Sequence, residues 1–391
     1  MISVLGAARK VMAQFALFLC VVALAACEPV ALGGGGPSIN TSKPVPVALL
    51  VPRGSGNSGD AILANSLENA ARLAVADLDN AQIDLRVYDT AGNPGQAANV
   101  AIQAVNDGAK IILGPVYAES ANAAGHAVAS RGVNVLAFSN NPSIAGGNVF
   151  VLGSTFQNTA NRLARYAARQ GRRNIMIVHG QDAAEMQGRD AISRAVAGTS
   201  ASIAGNASFE LSQQGVINAV PGIAGQIRSS GADAVFFTSG TAGALPILTQ
   251  LLSENGIGSG NSQFIGLQRW DIPASALALP GVQGGWFAIP DPGLNASFTN
   301  RYTSAYGAAP HPIAGLAYDG IAAIGALVRS GNADALTRNA LTQGSGFVGV
   351  NGVFRLLADG TNERGLAIAQ IQNNQVSVID PAPRSFGGAG F

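Results

Sequence analysis

The sequence predicts an α/β fold of two similar lobes, each a parallel sheet flanked by helices. Three observations predict it. Short β-rich runs alternate with amphipathic helices along most of the 391 residues, the signature of right-handed βαβ units. The alternation restarts after Val149-Phe150-Val151-Leu152, so a second series follows the first without an obvious direct repeat. Charged residues are only 12% and hydrophobic ones 48%, which suits sheets covered on both faces.

In the first series, Val45 to Val51 reads as a buried strand. The helix after it places Leu63, Leu67, Ala70, Ala74 and Leu78 on one apolar stripe. Ile83 to Tyr88 is a strand ending at Asp89. Pro94 to Val105 is a helix, with proline near its start where the missing donor costs nothing. Strand 111–113 stops at Gly114-Pro115, and helix 120–130 and strand 133–138 follow.

In the second series, helix 158–170 leads to strand 174–178, and a helix near 188–196 to strand 201–209. A helix near 217–229 precedes strand 234–237, and helix 244–254 precedes strand 264–267. The remaining chain carries helices at 298–306, 316–329 and 333–341, then strands near 353–356, 367–371 and 376–379.

The N-terminus has a different grammar. Arg9 and Lys10 precede an apolar run from Val11 to Ala26, and no acid occurs before Glu28. This is the pattern of a signal peptide; a membrane anchor would need ~20 apolar residues. The run ends in Leu24-Ala25-Ala26-Cys27, which resembles a bacterial lipobox. That resemblance implies a diacylated Cys27 as the first mature residue. Cys20 is removed with the signal, so Cys27 is the only mature cysteine and no intrachain disulfide forms. Glu28 at the next position, by the same resemblance, favours the outer membrane over the inner. Residues 27–44, with Gly33 to Gly36 in sequence, have the composition of a flexible tether. Loss of Arg9 and Lys10 leaves 21 basic against 22 acidic side chains.

These numbers exclude several classes. Disorder requires low hydrophobicity and high net charge. A formal charge of +1 is too small to bind nucleic acid by phosphate contacts. His126, His179 and His311 have no second ligand at metal spacing, so neither a metal site nor a cofactor is expected. Gly54-Ser55-Gly56-Asn57-Ser58-Gly59 fits G-x-G-x-x-G after a strand and before a helix. However, Asp89 lies thirty-five positions after Gly54, where a dinucleotide site places its acid after roughly twenty. The dinucleotide-binding enzyme is therefore the weak alternative, and a loop on the rim of a cleft is the expectation. No G-x-S-x-G elbow or assignable acid pair supports catalysis.

The stretches 114–120 (Gly-Pro-Val-Tyr-Ala-Glu-Ser) and 138–142 (Phe-Ser-Asn-Asn-Pro) end neighbouring strands. Open α/β sheets bind ligands at such ends, although the same residues also make ordinary turns.

These loops occur in order with Asn69 to Val75, Tyr88-Asp89-Thr90, Ala317-Tyr318-Asp319-Gly320 and Gly349 to Arg355. In that order the chain resembles the type I periplasmic binding-protein superfamily, in its leucine/isoleucine/valine-binding branch. The resemblance covers about Val45 to Asp380 and implies two α/β lobes joined by crossovers that close on a ligand. It also implies amino-acid binding through a serine in the first loop and backbone or threonine groups in the second, with an acid from the second lobe for the amino group. Here Ala118 stands near the serine position, with Ser120 close by. The second loop lacks the threonine, and Gln268-Arg269-Trp270-Asp271 replaces the usual Gly/acid loop. The lipobox and tether also resemble alphaproteobacterial lipoproteins similar to penicillin-binding protein activators. Those carry a helical N-terminal domain, which the seventeen residues between Cys27 and Val45 cannot hold.

The expected function is a non-enzymatic, lipid-anchored periplasmic protein that binds a small polar ligand such as an amino acid between two lobes. Its partner would be an ABC permease; the rival is a non-catalytic activator that contacts a penicillin-binding protein. Tyr117, Ser120, Ser139, Asn140, Asp182, Gln268 and Trp270 are the expected ligand-binding residues, with Asp182 meeting an amino group. The expected layout is signal peptide 1–26, tether 27–44, lobe 1 from 45–152 plus about 283–330, lobe 2 from 153–282 plus about 331–380, and a loose tail at 381–391.

Overall fold

The computed structural model describes residues 36–387. The signal peptide and Cys27 lie outside the described residues.

The first sheet contains β1 (Val45–Val51), β2 (Ile83–Asp89), β3 (Ile111–Leu113), β4 (Asn134–Ala137) and β5 (Val149–Val151) in the order β2-β1-β3-β4-β5. All its pairings are parallel. Successive side chains of a strand point to opposite faces, and in β1 both faces are covered. Val47, Leu49 and Val51 meet Leu63, Leu67 and Ala70 of α1 (Ser58–Ala76). Ala48 and Leu50 share a second core with Ala97 and Val100 of α2 (Pro94–Asn106) and Ala121 and Ala124 of α3 (Ala118–Val128). This double burial explains why β1 reads as continuously apolar.

The second sheet has the order β15-β14-β10-β9-β8-β6-β7. Its strands are β6 (Asn174–Gly180), β7 (Ser202–Phe209), β8 (Ala234–Phe237), β9 (Gln263–Gly266), β10 (Trp286–Ile289), β14 (Ala367–Gln372) and β15 (Gln375–Asp380). The strands β6 to β10 run parallel, and β14 and β15 pair antiparallel at one edge. Ile175 and Ile177 face α4 (Phe156–Arg169) and α5 (Ala183–Ala197). Met176 and Val178 face α6 (Gln213–Ser230) and α7 (Leu245–Glu254).

Two further helices, α8 (Pro292–Tyr306) and α9 (Gly315–Val328), pack on the first sheet through Phe298, Tyr302, Ile321 and Ile324. After the short α10 (Arg338–Leu341), a small antiparallel sheet forms from β11 (Phe347–Gly349), β12 (Gly352–Leu356) and β13 (Asn362–Arg364). Its Phe347, Phe354 and Leu356 join the same core.

The two-lobed parallel architecture agrees with expectation, but the lobe boundaries differ. The strand Trp286–Ile289 was expected in lobe 1 and belongs to the second sheet. The segment from about 331 to 364 was expected in lobe 2 and packs on lobe 1 through Ala335, Leu336, Leu341, Phe347 and Phe354. A four-residue strand and an insertion between lobes carry no periodicity that assigns them to a sheet. The chain thus passes between lobes at 152–155, 290–291 and 365–366. The helix expected near 188 begins at Ala183, capped by Asp182.

The described part of the expected tether, 36–44, lies on lobe 1. Ile39 is 6% exposed in its core, and its N–H donates to the Ala333 carbonyl at 2.9 Å. The described part of the expected tail, 381–387, is likewise anchored, with Ala382 in the lobe 2 core and Phe386 beneath the Arg355 guanidinium. A polar composition conceals a single anchoring side chain. Among the described residues, no helix is long and apolar enough to cross a membrane.

Candidate functional site

A cavity of about 590 Å³ lies between the loops that follow β3 and β4 and the loop that follows β9. Its size suits a small organic ligand.

The lobe 1 wall carries Tyr117, Ala118, Ser139, Asn140 and Asn141. Tyr117 is the N-cap of α3 and gives its first turn no side-chain acceptor. Its hydroxyl donates instead to the buried Asp60 carboxylate. That hydrogen bond, with burial adding to it, pushes the phenol up to about 12. Ser139 Oγ accepts from the Asn141 N–H at 3.1 Å, and Asn141 Oδ1 accepts from the Ser143 N–H at 3.0 Å. Asn140 is exposed on the wall.

The lobe 2 wall carries Leu267, Gln268, Arg269, Phe156 and Thr159. Gln268 Nε2 donates to the Thr238 carbonyl at 2.8 Å. Arg269 makes a two-pronged pair with Asp271, its Nε donating to Oδ1 at 2.7 Å.

Thr155, Pro290, Asn351, Arg364 and Leu366 line the cavity at or beside the crossovers. Arg364 and Asp319 form an ion pair at 3.0 Å, their side chains 3% and 0% exposed. Arg364 also donates to the Leu152 carbonyl. Asp319 accepts from the Val350 N–H at 2.8 Å and from Asn351 Nδ2 at 3.0 Å. Asn362 Nδ2 donates to the carbonyls of Val151 and Gly153. These bonds tie two of the crossovers together at the cavity. A buried pair of this kind is costly to break from one side, because the remaining charge is stranded.

The structure brings Tyr117, Ser139, Asn140 and Gln268 together on this cavity. Three expected residues lie elsewhere. Ser120 is fully buried in α3 with its hydroxyl unpartnered. Tyr117 is the extended N-cap residue outside the helix, whereas Ser120 is on the buried face of α3 with Ala121 and Ala124. Trp270 is 0% exposed in the lobe 2 core, its ring stacked on Phe287 at 6.4 Å. It fits there because Gly266 and Gly285 lack Cβ atoms, which would stand 2.2 and 2.1 Å from the indole. Asp182 is outside the cavity lining; its Oδ1 caps α5 by accepting from the Ala184 and Glu185 N–H groups. Gly54 to Gly59 also lie outside the lining, beyond Tyr117.

Sequence reasoning missed Thr155, Arg269, Asn351 and Arg364. Thr155 had a readable signal, since Thr155 and Asn158 form a reciprocal cap three residues apart. Arg364 had none, because its role depends on the crossover geometry. Among the described residues, no cluster that could hold a metal is present.

A family model described as periplasmic binding protein matches residues 44–375. No curated protein matches the chain. Several solved structures share the fold. A Rhodospirillum rubrum protein, provisionally assigned as a branched-chain amino acid ABC transporter, is 17% identical with a TM-score of 0.74, covering 86% of this chain and 100% of its own. A Desulfitobacterium hafniense ABC transporter substrate-binding protein in complex with Leu is 17% identical at TM-score 0.64, covering 86% and 100%. A Rhodopseudomonas palustris ABC transporter solute-binding protein in complex with 3,4-dihydroxybenzoic acid is 17% identical at TM-score 0.59, covering 88% and 97%.

Proposed function

The chain belongs to the periplasmic binding-protein family, and from that premise we propose that it captures a small polar organic ligand between its lobes for transport or sensing. The observation that carries this reading is the cavity between the strand-end loops of both sheets. It combines hydroxyl and amide groups with an apolar lining that includes Phe138, Phe156 and Leu316. Such a lining removes the ligand's apolar body from water while a few polar groups fix its orientation. The ligands named for two fold relatives, Leu and 3,4-dihydroxybenzoic acid, are of this size and polarity. Three connections between lobes are suited to hinge closure, and an ABC permease would receive the ligand.

We further infer that Cys27 carries the lipid anchor, holding the protein at a periplasmic membrane face, the outer membrane by preference. Metabolic labelling with a clickable fatty acid tests this: the wild-type chain should label, and Cys27→Ser should not.

The function is tested by a thermal melt of the mature protein against amino acids, organic acids and muropeptides at millimolar concentration. A ligand that binds only the folded state raises the midpoint by mass action. A rise with at least one small ligand is expected. No shift with any of them, together with co-purification of a penicillin-binding protein, would replace this reading with the activator.

A further inference from the structure

Among the described residues, no carboxylate lines the cleft, and several of those near it are committed elsewhere. The described lining residues include Arg269 and Arg364 but no aspartate or glutamate. Glu185 is buried, accepting from Thr238 Oγ1 at 2.6 Å, from Ser239 Oγ at 2.6 Å and from the Gly180 N–H at 2.6 Å. Asp271 holds Arg269, Asp319 holds Arg364, and Asp60 accepts from Tyr117. Asp182 caps α5 through Oδ1, its buried Oδ2 being unpartnered and outside the lining, and Asp291 caps α8. An ammonium group entering this cavity would lose its hydration without gaining a carboxylate partner, which is strongly unfavourable. A carboxylate meets the opposite environment. The lining offers it the amide of Asn140, which makes no side-chain hydrogen bond among the described residues. It also offers the Arg269 Nη1 edge, because the pair with Asp271 uses only Nε and Nη2.

The geometry points to a ligand that is a monocarboxylic acid with an apolar body and no ammonium group, rather than an α-amino acid. This inference rests on the binding-cleft reading above.

Isothermal titration of the mature protein with three probes tests it. The probes are leucine, isocaproate (leucine without its amino group) and isopentylamine (leucine without its carboxylate). The expected result is that isocaproate binds at least about tenfold tighter than leucine, a difference of about 1.4 kcal/mol, and that isopentylamine does not bind. Asn140→Asp places a carboxylate on the wall at nearly constant shape, and it should shift the leucine-to-isocaproate affinity ratio toward leucine by at least about tenfold. Leucine binding as tightly as isocaproate overturns the inference, and so does any binding of isopentylamine. Loss of leucine binding in Asp182→Asn would identify the acid responsible. Either result leaves the cleft in place as a binding site. If none of the three probes, nor benzoate, binds, the inference fails together with the cleft reading.

Discussion

Beyond β4 in the first lobe, Asn140 lines the cavity with its side-chain amide unpartnered. Beyond β8 in the second, Thr238 and Ser239 spend their hydroxyls on the buried Glu185. Both segments follow a central parallel strand at the end where open sheets bind ligands. At these two segments the first lobe leaves polar capacity for a ligand, whereas the second satisfies its own. Trp270 extends the contrast, since the largest side chain near the cleft in lobe 2 is core, while Tyr117 in lobe 1 is on the wall. Under the proposed reading, the difference teaches that lobe 1 carries the free amide and lobe 2 adds mainly the Arg269 edge to a wall that otherwise satisfies itself.

The largest effect that could break this contrast lies in lobe 2. Glu185→Ala strands two hydroxyls and the Gly180 N–H without their acceptor. The expected loss is about 3 kcal/mol of unfolding free energy in urea, with the affinity of the surviving folded protein little changed. A loss below ~1 kcal/mol would mean that lobe 2 does not depend on its internal polar network.

A smaller effect is expected in lobe 1, and of the opposite kind. Asn140→Ala removes a side chain with no internal partner, so stability should change by less than ~0.5 kcal/mol. Ligand affinity should fall about tenfold in the titration. If this variant melted like Glu185→Ala, the two lobes would not differ in the way described.

The smallest effect concerns Tyr117. Its phenol is pushed up to about 12 in the folded protein, first by the hydrogen bond to Asp60 and then by burial. An unfolded chain ionises this group near 10. Stability from the Tyr117–Asp60 bond is therefore fully present below pH 10 and lost as pH rises through about 12. Denaturation midpoints of wild type and Tyr117→Phe should converge across that window. Parallel curves would show that the hydroxyl contributes nothing particular to the lobe 1 wall.

How far the site was legible follows the same contrast. Tyr117, Ser139 and Asn140 could be placed because each sits within three residues of a strand or helix end, where local turn chemistry reports position. Gln268 and Trp270 are two residues apart on one loop, yet one lines the cavity and the other is core. Nothing local separates them. Two glycines on different strands and loops, Gly266 and Gly285, open the slot that draws the indole inward. The acids misled for a related reason. An aspartate just before a helix is as good a cap as a ligand contact, and Asp182 serves as the cap.

The sequence alone determined most of the elements, their alternation and the two-lobed class, because hydrophobic periodicity and helix-end chemistry act over a few residues. Tertiary structure decided where β10 and the 347–364 sheet belong, which acids are consumed and which amide is left free. Those outcomes depend on crossovers that bring Leu152, Asp319 and Arg364 to one point. Contacts spanning up to 212 positions leave no local trace in the order of residues.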